Sequence, residues 1–223
     1  MNDENSSLNI LTFGDPEADT LLIQMADDHD LEVIEKEVSY IGELSKGQDF
    51  CLKAVRVKNW NQDLSPWPAP AVFGNEDFGD GAAGTLRFLQ NEVLAEADTG
   101  IAQAVKKVYI GGYSLAGLFA IWAGYQTERF DGIAAASPSV WFPRFTEYMR
   151  QNRIGTEKVY LSLGDREERT RNPVMAQVGN AIRDAEAILK EEGKDCVLEW
   201  NRGNHFKEPE LRTAKAFAWL IRN

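Results

Sequence analysis

Cysteine and histidine are almost missing from this chain, with two of each in 223 residues. Cys51 and Cys196 are too few for a disulfide scaffold and suit a reducing compartment, so a cytoplasmic location is expected. With His29 and His205 as the only imidazoles, and neither cysteine having a partner at ligand spacing, no conventional zinc site can be assembled. No metal and no other cofactor is therefore expected. Long apolar runs are missing as well, and none approaches the ~20 residues of a membrane span. The first residues, Met1 to Ser7, are polar and acidic, unlike a signal peptide. Basic residues are in short supply: 24 Lys and Arg against 35 Asp and Glu give a formal net charge of -11. That balance disfavours nucleic acid and anionic membrane surfaces as partners, and a neutral or cationic small molecule is easier to accept. Acidity of this size also serves plain solubility. No internal repeat and no low-complexity tract is present.

What remains is an ordinary globular composition, with 43% hydrophobic and 26% charged residues. It is expected to form one domain over residues 1–223. Runs of strand type alternate with runs of helical period, which points to an α/β fold with a mainly parallel central sheet and helices on both faces. Strands are expected at 8–13, 21–25, 50–57, 108–110, 133–136, 159–163 and 197–200. Between them, Leu31, Ile34, Val38, Ile41 and Leu44 share a helical face, with Asp30 placed to cap it. Residues 58–81 read as a long loop, and 82–96 as a helix. Asn172 and Pro173 read as the N-cap and first position of a helix that Gly193 stops. A final helix begins near Pro209.

The chemistry starts at Gly112-Tyr113-Ser114-Leu115-Ala116-Gly117. A strand-type run leads into it and an apolar helical run leaves it. A serine on such a turn, flanked by small residues, reads as a nucleophile elbow. The turn is so tight that only small residues fit beside it, and the hydroxyl is pushed into a cleft. The usual pattern has glycine two residues after the serine; here Ala116 stands there, with Gly117 next. The plain alternative is a glycine-rich strand-to-helix junction carrying an incidental serine.

A serine hydroxyl is a poor nucleophile at neutral pH and needs a base. Histidine, with an ordinary pKa of ~6.5, suits that range. His205 follows the last strand in the polar loop Arg202-Gly203-Asn204-His205, where glycine permits close approach to the serine loop. His29 lies early, among Asp27, Asp28 and Asp30. His205 is the expected base. The acid that orients it is expected after the strand ending at Gly164, where Asp165, Glu167 and Glu168 cluster. Glu167, three residues beyond the glycine, is first choice, Asp165 the alternative and Glu168 third. The carboxylates not used would be solvated, or paired with Arg166, Arg169 or Arg171. Ligands of doubly wound sheets bind beyond the carboxyl ends of the strands, and the chain order serine, acid, histidine is that of the α/β-hydrolase fold.

An oxyanion hole would need only backbone. Leu115 N–H, just after the nucleophile, is one donor, and a second is expected near Ala26 or Asp27. Trp60, Trp67 and Trp141 fall on loops at the same edge and are candidates for a substrate-binding wall, as are Phe73 and Phe78; covering the core is their plain alternative. Two other patterns are decoys. Gly79-Asp80-Gly81-Ala82-Ala83-Gly84 matches a dinucleotide fingerprint, but it does not follow a strand directly, and Asp77 and Asp80 would repel a pyrophosphate. Asp27-Asp28-His29-Asp30 suggests a metal, but helix capping explains it more cheaply.

The elbow, followed by Ala136-Ser137-Pro138-Ser139-Val140-Trp141-Phe142, resembles the esterase family of the α/β-hydrolase superfamily that includes esterase D-like and siderophore-releasing esterases. The similarity runs from about Leu21 to the C-terminus. It implies a serine esterase that works without a metal, and it carries over Ser114 and His205 but the acid only loosely. A thioesterase, acyltransferase or small-peptide hydrolase would use the same acyl-enzyme. A non-catalytic module of the same fold and a nicotinamide-dependent oxidoreductase are the rivals of other classes.

Overall fold

The computed structural model describes residues 8–72, 74–98 and 105–223. The stretch Met1 to Ser7 and Phe73, both singled out above, lie outside the described residues. Seven strands form one sheet: β1 (Asn9–Gly14), β2 (Thr20–Ala26), β3 (Cys51–Arg56), β4 (Lys107–Tyr113), β5 (Gly132–Ala136), β6 (Lys158–Gly164) and β7 (Asp195–Asn201). Their spatial order is β1-β3-β2-β4-β5-β6-β7. Every neighbouring pair is parallel except β1 with β3, where Asn9 faces Arg56. The turn after Gly14 thus joins two strands that are not neighbours.

The central strands are apolar along their whole length, as strands covered on both faces must be. In β5 all residues are buried, and in β4 only Lys107 is exposed. The covering helices are α1 (Asp28–Leu44), α2 (Trp60–Asp63), α3 (Ala82–Phe88), α4 (Ala95–Asp98), α5 (Leu115–Gln126), α6 (Phe145–Gln151), α7 (Val178–Glu191) and α8 (Pro209–Arg222). One face carries α1 and α8, with Ile34, Ile41, Ala214 and Phe217 packed on Leu22, Leu52, Tyr109 and Ala134. On the other, α5 and α7 pack Phe119, Ile121, Ile182 and Leu189 against Ile23, Ile110, Ile133 and Leu161. Helix α5 is buried from Leu115 through Gly124, which is why its sequence is apolar all round.

Four details differ from the sequence expectation. Asp27, not Asp30, caps α1: Asp27 Oδ1 accepts from Asp30 N–H at 2.8 Å, while Asp30 Oδ2 accepts from Asp27 N–H at 3.2 Å. The two acids form a reciprocal capping box, and Asp30 is its inner member. The helix expected over 82–96 contains a π segment, Leu89–Leu94. Leu89, Val93 and Leu94 of this segment are buried. Asn172 caps a short 3₁₀ turn (Met175–Gln177) through Val174 and Met175 N–H, and α7 proper starts at Val178. The expected loop over 58–81 holds α2 and one antiparallel bridge between Ala69 and Phe78.

Because β4 to β7 lie side by side and parallel, their carboxyl ends open on one edge. Ser114 follows β4, Gly164 ends β6, and Asn201 ends β7 opposite Gly164. The fold therefore delivers three loops, distant in sequence, to one place.

Candidate active site

Ser114 sits between β4 and α5 with φ 56° and ψ -118°, a conformation that costs free energy for any residue with a side chain. The turn is held by Ser114 N–H donating to Ala136 O at 3.1 Å, and by Ser139 N–H donating to Ser114 O at 3.0 Å. The demand for small residues is literal. A Cβ on Gly112 would lie 2.6 Å from the Cβ of Ala116. Ala116 therefore meets the glycine two residues before the serine, and a methyl group there is accommodated because its partner has none.

His205 Nε2 lies 3.1 Å from Ser114 Oγ, and His205 Nδ1 lies 2.7 Å from Glu167 Oε2. Ser114, His205 and Glu167 thus stand in one hydrogen-bonded line. The other oxygen of Glu167, Oε1, accepts from Gly164 N–H at 2.7 Å, from Ser137 Oγ at 2.8 Å and from Arg212 Nη1 at 2.8 Å. The Glu167 side chain is 4% exposed and that of Arg212 is 2% exposed. Deleting either member of such a pair leaves a buried charge, at a cost of about 3–5 kcal/mol. Burial pushes the Glu167 carboxyl up. The hydrogen bond and charge of His205, with Gly164 N–H and the Ser137 hydroxyl, outweigh burial and hold it below its ordinary value. It is thus an ionised acceptor at neutral pH.

Gly164 cannot be larger, since a Cβ there would meet Gly203 O at 2.4 Å. The approach that forbids a side chain is the one that brings the Glu167 loop onto the His205 loop. Asp165 serves the same junction. Its Oδ1 accepts from Gly203 N–H at 2.8 Å, and it makes no bond to His205. Glu168 lies 3.6 Å from Arg183. His29, the other imidazole, is on the first turn of α1 beside Glu32 at 3.6 Å, and its side chain is largely exposed.

The donors expected for an oxyanion are placed as follows. Leu115 opens α5, so its N–H belongs to the first turn, which a helix leaves without internal acceptors. The helix dipole adds positive potential there. Ala26 ends β2, which pairs with β4 in a register whose last partners are Gln24 and Gly111, so the turn after β2 leaves beside the strand that leads to Ser114. Asp27 N–H is engaged by Asp30 Oδ2 in the capping box. Burial, with the Asp27 charge second, raises the Asp30 carboxyl to about 6.

The candidate aromatics divide. Trp67 is half-buried among Phe142, Phe145 and Tyr148, and its indole N–H donates to Pro143 O at 3.0 Å. It lines a cleft of about 380 Å³ with Arg144, Glu147, Tyr148 and Gln151, a set that contains none of Ser114, His205 and Glu167. Trp141 stacks edge-on to Phe78 at 6.1 Å, two residues beyond the Ser139 that contacts the elbow. Trp60 is half-buried against the core.

Several residues at the site were not anticipated. Ser139 Oγ lies 3.3 Å from Ser114 Oγ. Phe206 is 84% exposed with its ring edge-on to His205 at 5.5 Å. Tyr113 Oη donates to His205 O at 2.6 Å, and burial followed by the Glu167 charge pushes its phenol up to about 12, so it stays a donor. Arg212 is the fourth. An apolar side chain beside a histidine is a pattern a sequence shows, but the other three contacts join residues 25 to 99 positions apart. Among the described residues, no group of three or more His, Cys, Asp and Glu is placed to hold a metal ion.

No family model matches the sequence. The uncharacterized protein YbbA of Bacillus subtilis (strain 168) is 24% identical over 183 residues, covering 77% of this chain and 73% of that protein. Siderophore hydrolase EstA from Aspergillus nidulans superposes with a TM-score of 0.70 at 16% identity, covering 99% of this chain and 97% of EstA. An IroE-like serine hydrolase from Shewanella oneidensis superposes with a TM-score of 0.72 at 14% identity, covering 96% and 74%. The chain therefore has an α/β-hydrolase fold, in the form that these siderophore-hydrolase and serine-hydrolase structures share.

Proposed function

We propose that this protein is a serine hydrolase that cleaves carboxylic esters through an acyl-enzyme on Ser114. The observation that carries the reading is the unbroken line Ser114 Oγ, His205 Nε2, His205 Nδ1, Glu167 Oε2, with separations of 3.1 and 2.7 Å. The shared fold with siderophore hydrolases supports it.

Ser114 Oγ attacks the ester carbonyl carbon while its proton passes to His205 Nε2. Glu167 stabilises the imidazolium and holds the tautomer in which Nδ1 carries hydrogen. The negative charge on the carbonyl oxygen is met by Leu115 N–H, and Asp27 N–H becomes a second donor only by leaving Asp30 Oδ2, to which it donates in the capping box. Collapse breaks the C–O bond and sends the His205 proton to the leaving alcohol. Water then repeats the sequence on the acyl-enzyme, releasing the carboxylic acid and restoring Ser114. Trp141, two residues beyond the Ser139 that contacts the elbow, is proposed to line the approach for the substrate, whereas Trp67 lines a separate cleft and Trp60 packs on the core.

The protein is proposed to act as one domain over residues 1–223, on small esters rather than nucleic acid, given its net charge of -11. A cytoplasmic location fits Cys51 and Cys196, both buried and both unpaired. Among the described residues no helix is long and apolar enough to cross a membrane. Turnover of p-nitrophenyl acetate tests the reading. Activity is expected, and it should survive prolonged incubation with a chelator. Loss of activity that zinc or another divalent ion restores would overturn the mechanism.

A further inference from the structure

Arg212 lies in the first turns of α8, a few residues after His205, and its side chain is 2% exposed. Its Nη1 lies 2.8 Å from Glu167 Oε1, 3.1 Å from Ser137 Oγ and 3.1 Å from Tyr113 Oη. Its Nη2 donates to Asn204 O at 2.9 Å. One guanidinium therefore touches the strand that carries the nucleophile, the end of β5, the acid, and the residue before the base.

A guanidinium has only donors. Facing Arg212, the hydroxyls of Ser137 and Tyr113 must use their lone pairs toward it and turn their own hydrogens elsewhere. Ser137 then donates to Glu167 Oε1, and Tyr113 to His205 O. The directions of these two hydroxyl bonds are set from Arg212 outward, and Gly164 N–H donates to Glu167 Oε1 in any case. Glu167 Oε1 receives three donors, so Oε2 alone is left for the imidazole. Tyr113 and Arg212 Nη2 hold the backbone on either side of the bond between Asn204 and His205. Lysine could supply the charge at this place but not the planar fork that reaches acid and backbone together.

We propose that Arg212 is the positioning residue of this site: it orients Glu167 toward His205, and its charge sets how readily the Glu167–His205 pair takes up a proton. The proposal rests on Ser114, His205 and Glu167 working as the triad described above. The charge acts in a definite direction. Beside Arg212, the negative charge of Glu167 is partly answered before His205 is protonated. Among the described residues, Arg212 and His205 are the cationic side chains paired with Glu167, so without Arg212 the imidazolium is more stable. The base is then lost at a higher pH.

The experiment compares wild type, Arg212→Gln and Arg212→Lys with p-nitrophenyl acetate across pH, with folding checked by circular dichroism. For Arg212→Gln, kcat should fall on the order of 10²-fold, less than the ~10⁴-fold that loss of an orienting acid causes. KM should stay unchanged, because a side chain this buried does not touch substrate. The acidic limb of the pH profile should move up by about one unit. Arg212→Lys should keep the wild-type limb and show an intermediate kcat. Wild-type kcat and limb in Arg212→Gln would overturn the proposal, as would equal displacement of the limb in both variants. Should Arg212→Gln not fold, Arg212→Lys still decides: full kcat, or a displaced limb, contradicts the proposal. Fluorophosphonate labelling of Ser114 in the wild type reports on the triad alone, so failure of that reading is distinguishable from failure of the Arg212 inference.

Discussion

His205→Ala should reduce turnover of p-nitrophenyl acetate as severely as Ser114→Ala, on the order of 10⁶-fold in kcat, and the double variant should be no worse than either. The reason is geometric. Nε2 of His205 is 3.1 Å from Ser114 Oγ and is the base bonded to that hydroxyl among the described residues. Ser139 Oγ, at 3.3 Å, is a hydroxyl of the same acidity and is no base. Members of a proton-relay unit are not additive, because losing one leaves the others without a task. His29→Ala is the control. His29 is exposed on α1 beside Glu32, and its removal should leave kcat unchanged. Normal turnover by His205→Ala, with His29→Ala inactive, would reverse the assignment.

Glu167→Gln should slow kcat by roughly 10⁴-fold, the loss seen when an orienting carboxylate is made neutral in a serine protease. The surroundings of the acid dictate why. The Oε1 position faces three donors: Gly164 N–H, the Ser137 hydroxyl and Arg212 Nη1. The carbonyl of a glutamine must take that position, which turns its NH₂ group toward His205 Nδ1. The imidazole then accepts at Nδ1 and carries its hydrogen on Nε2, facing Ser114, so it cannot remove the serine proton. Asp165→Asn should cost only a few-fold by contrast, since Asn can keep the oxygen that accepts from Gly203 N–H. Assay of the two variants side by side separates them. A crippled Asp165→Asn with an active Glu167→Gln would move the acid to the other residue.

Much of this arrangement was legible in the sequence because the elbow's requirements are local. The closeness of Gly112 to Ala116 is a property of a few consecutive residues, and a string of letters displays it directly. Glu167 ranks first by its position three residues beyond the glycine that ends its strand, while the approach of Gly164 to Gly203 O shows only in the fold. The strands read well where burial on both faces makes them uniformly apolar, as in β5. Arg212 was not legible. In the sequence it is one cation in a mixed helix, and only the fold brings Tyr113, Ser137, Glu167 and Asn204 around it. The cap of α1 was misplaced by three residues because Asp27 and Asp30 are chemically alike, and their reciprocal bonds decide which comes first. Backbone donors carry no side-chain signal, so the expectation of a second oxyanion donor near Ala26 or Asp27 rests only on position after β2. Helix α6 was missed because it has only 7 residues, too few to show a period.

The central claim is that Ser114 is a nucleophile activated by His205, and covalent trapping tests it most directly. The protein would be incubated with a fluorophosphonate, weighed intact by mass spectrometry, and mapped by peptide. A single adduct on Ser114 is expected, absent from Ser114→Ala and formed far more slowly in His205→Ala. An adduct on another residue, or equal labelling of Ser114→Ala, would contradict the account.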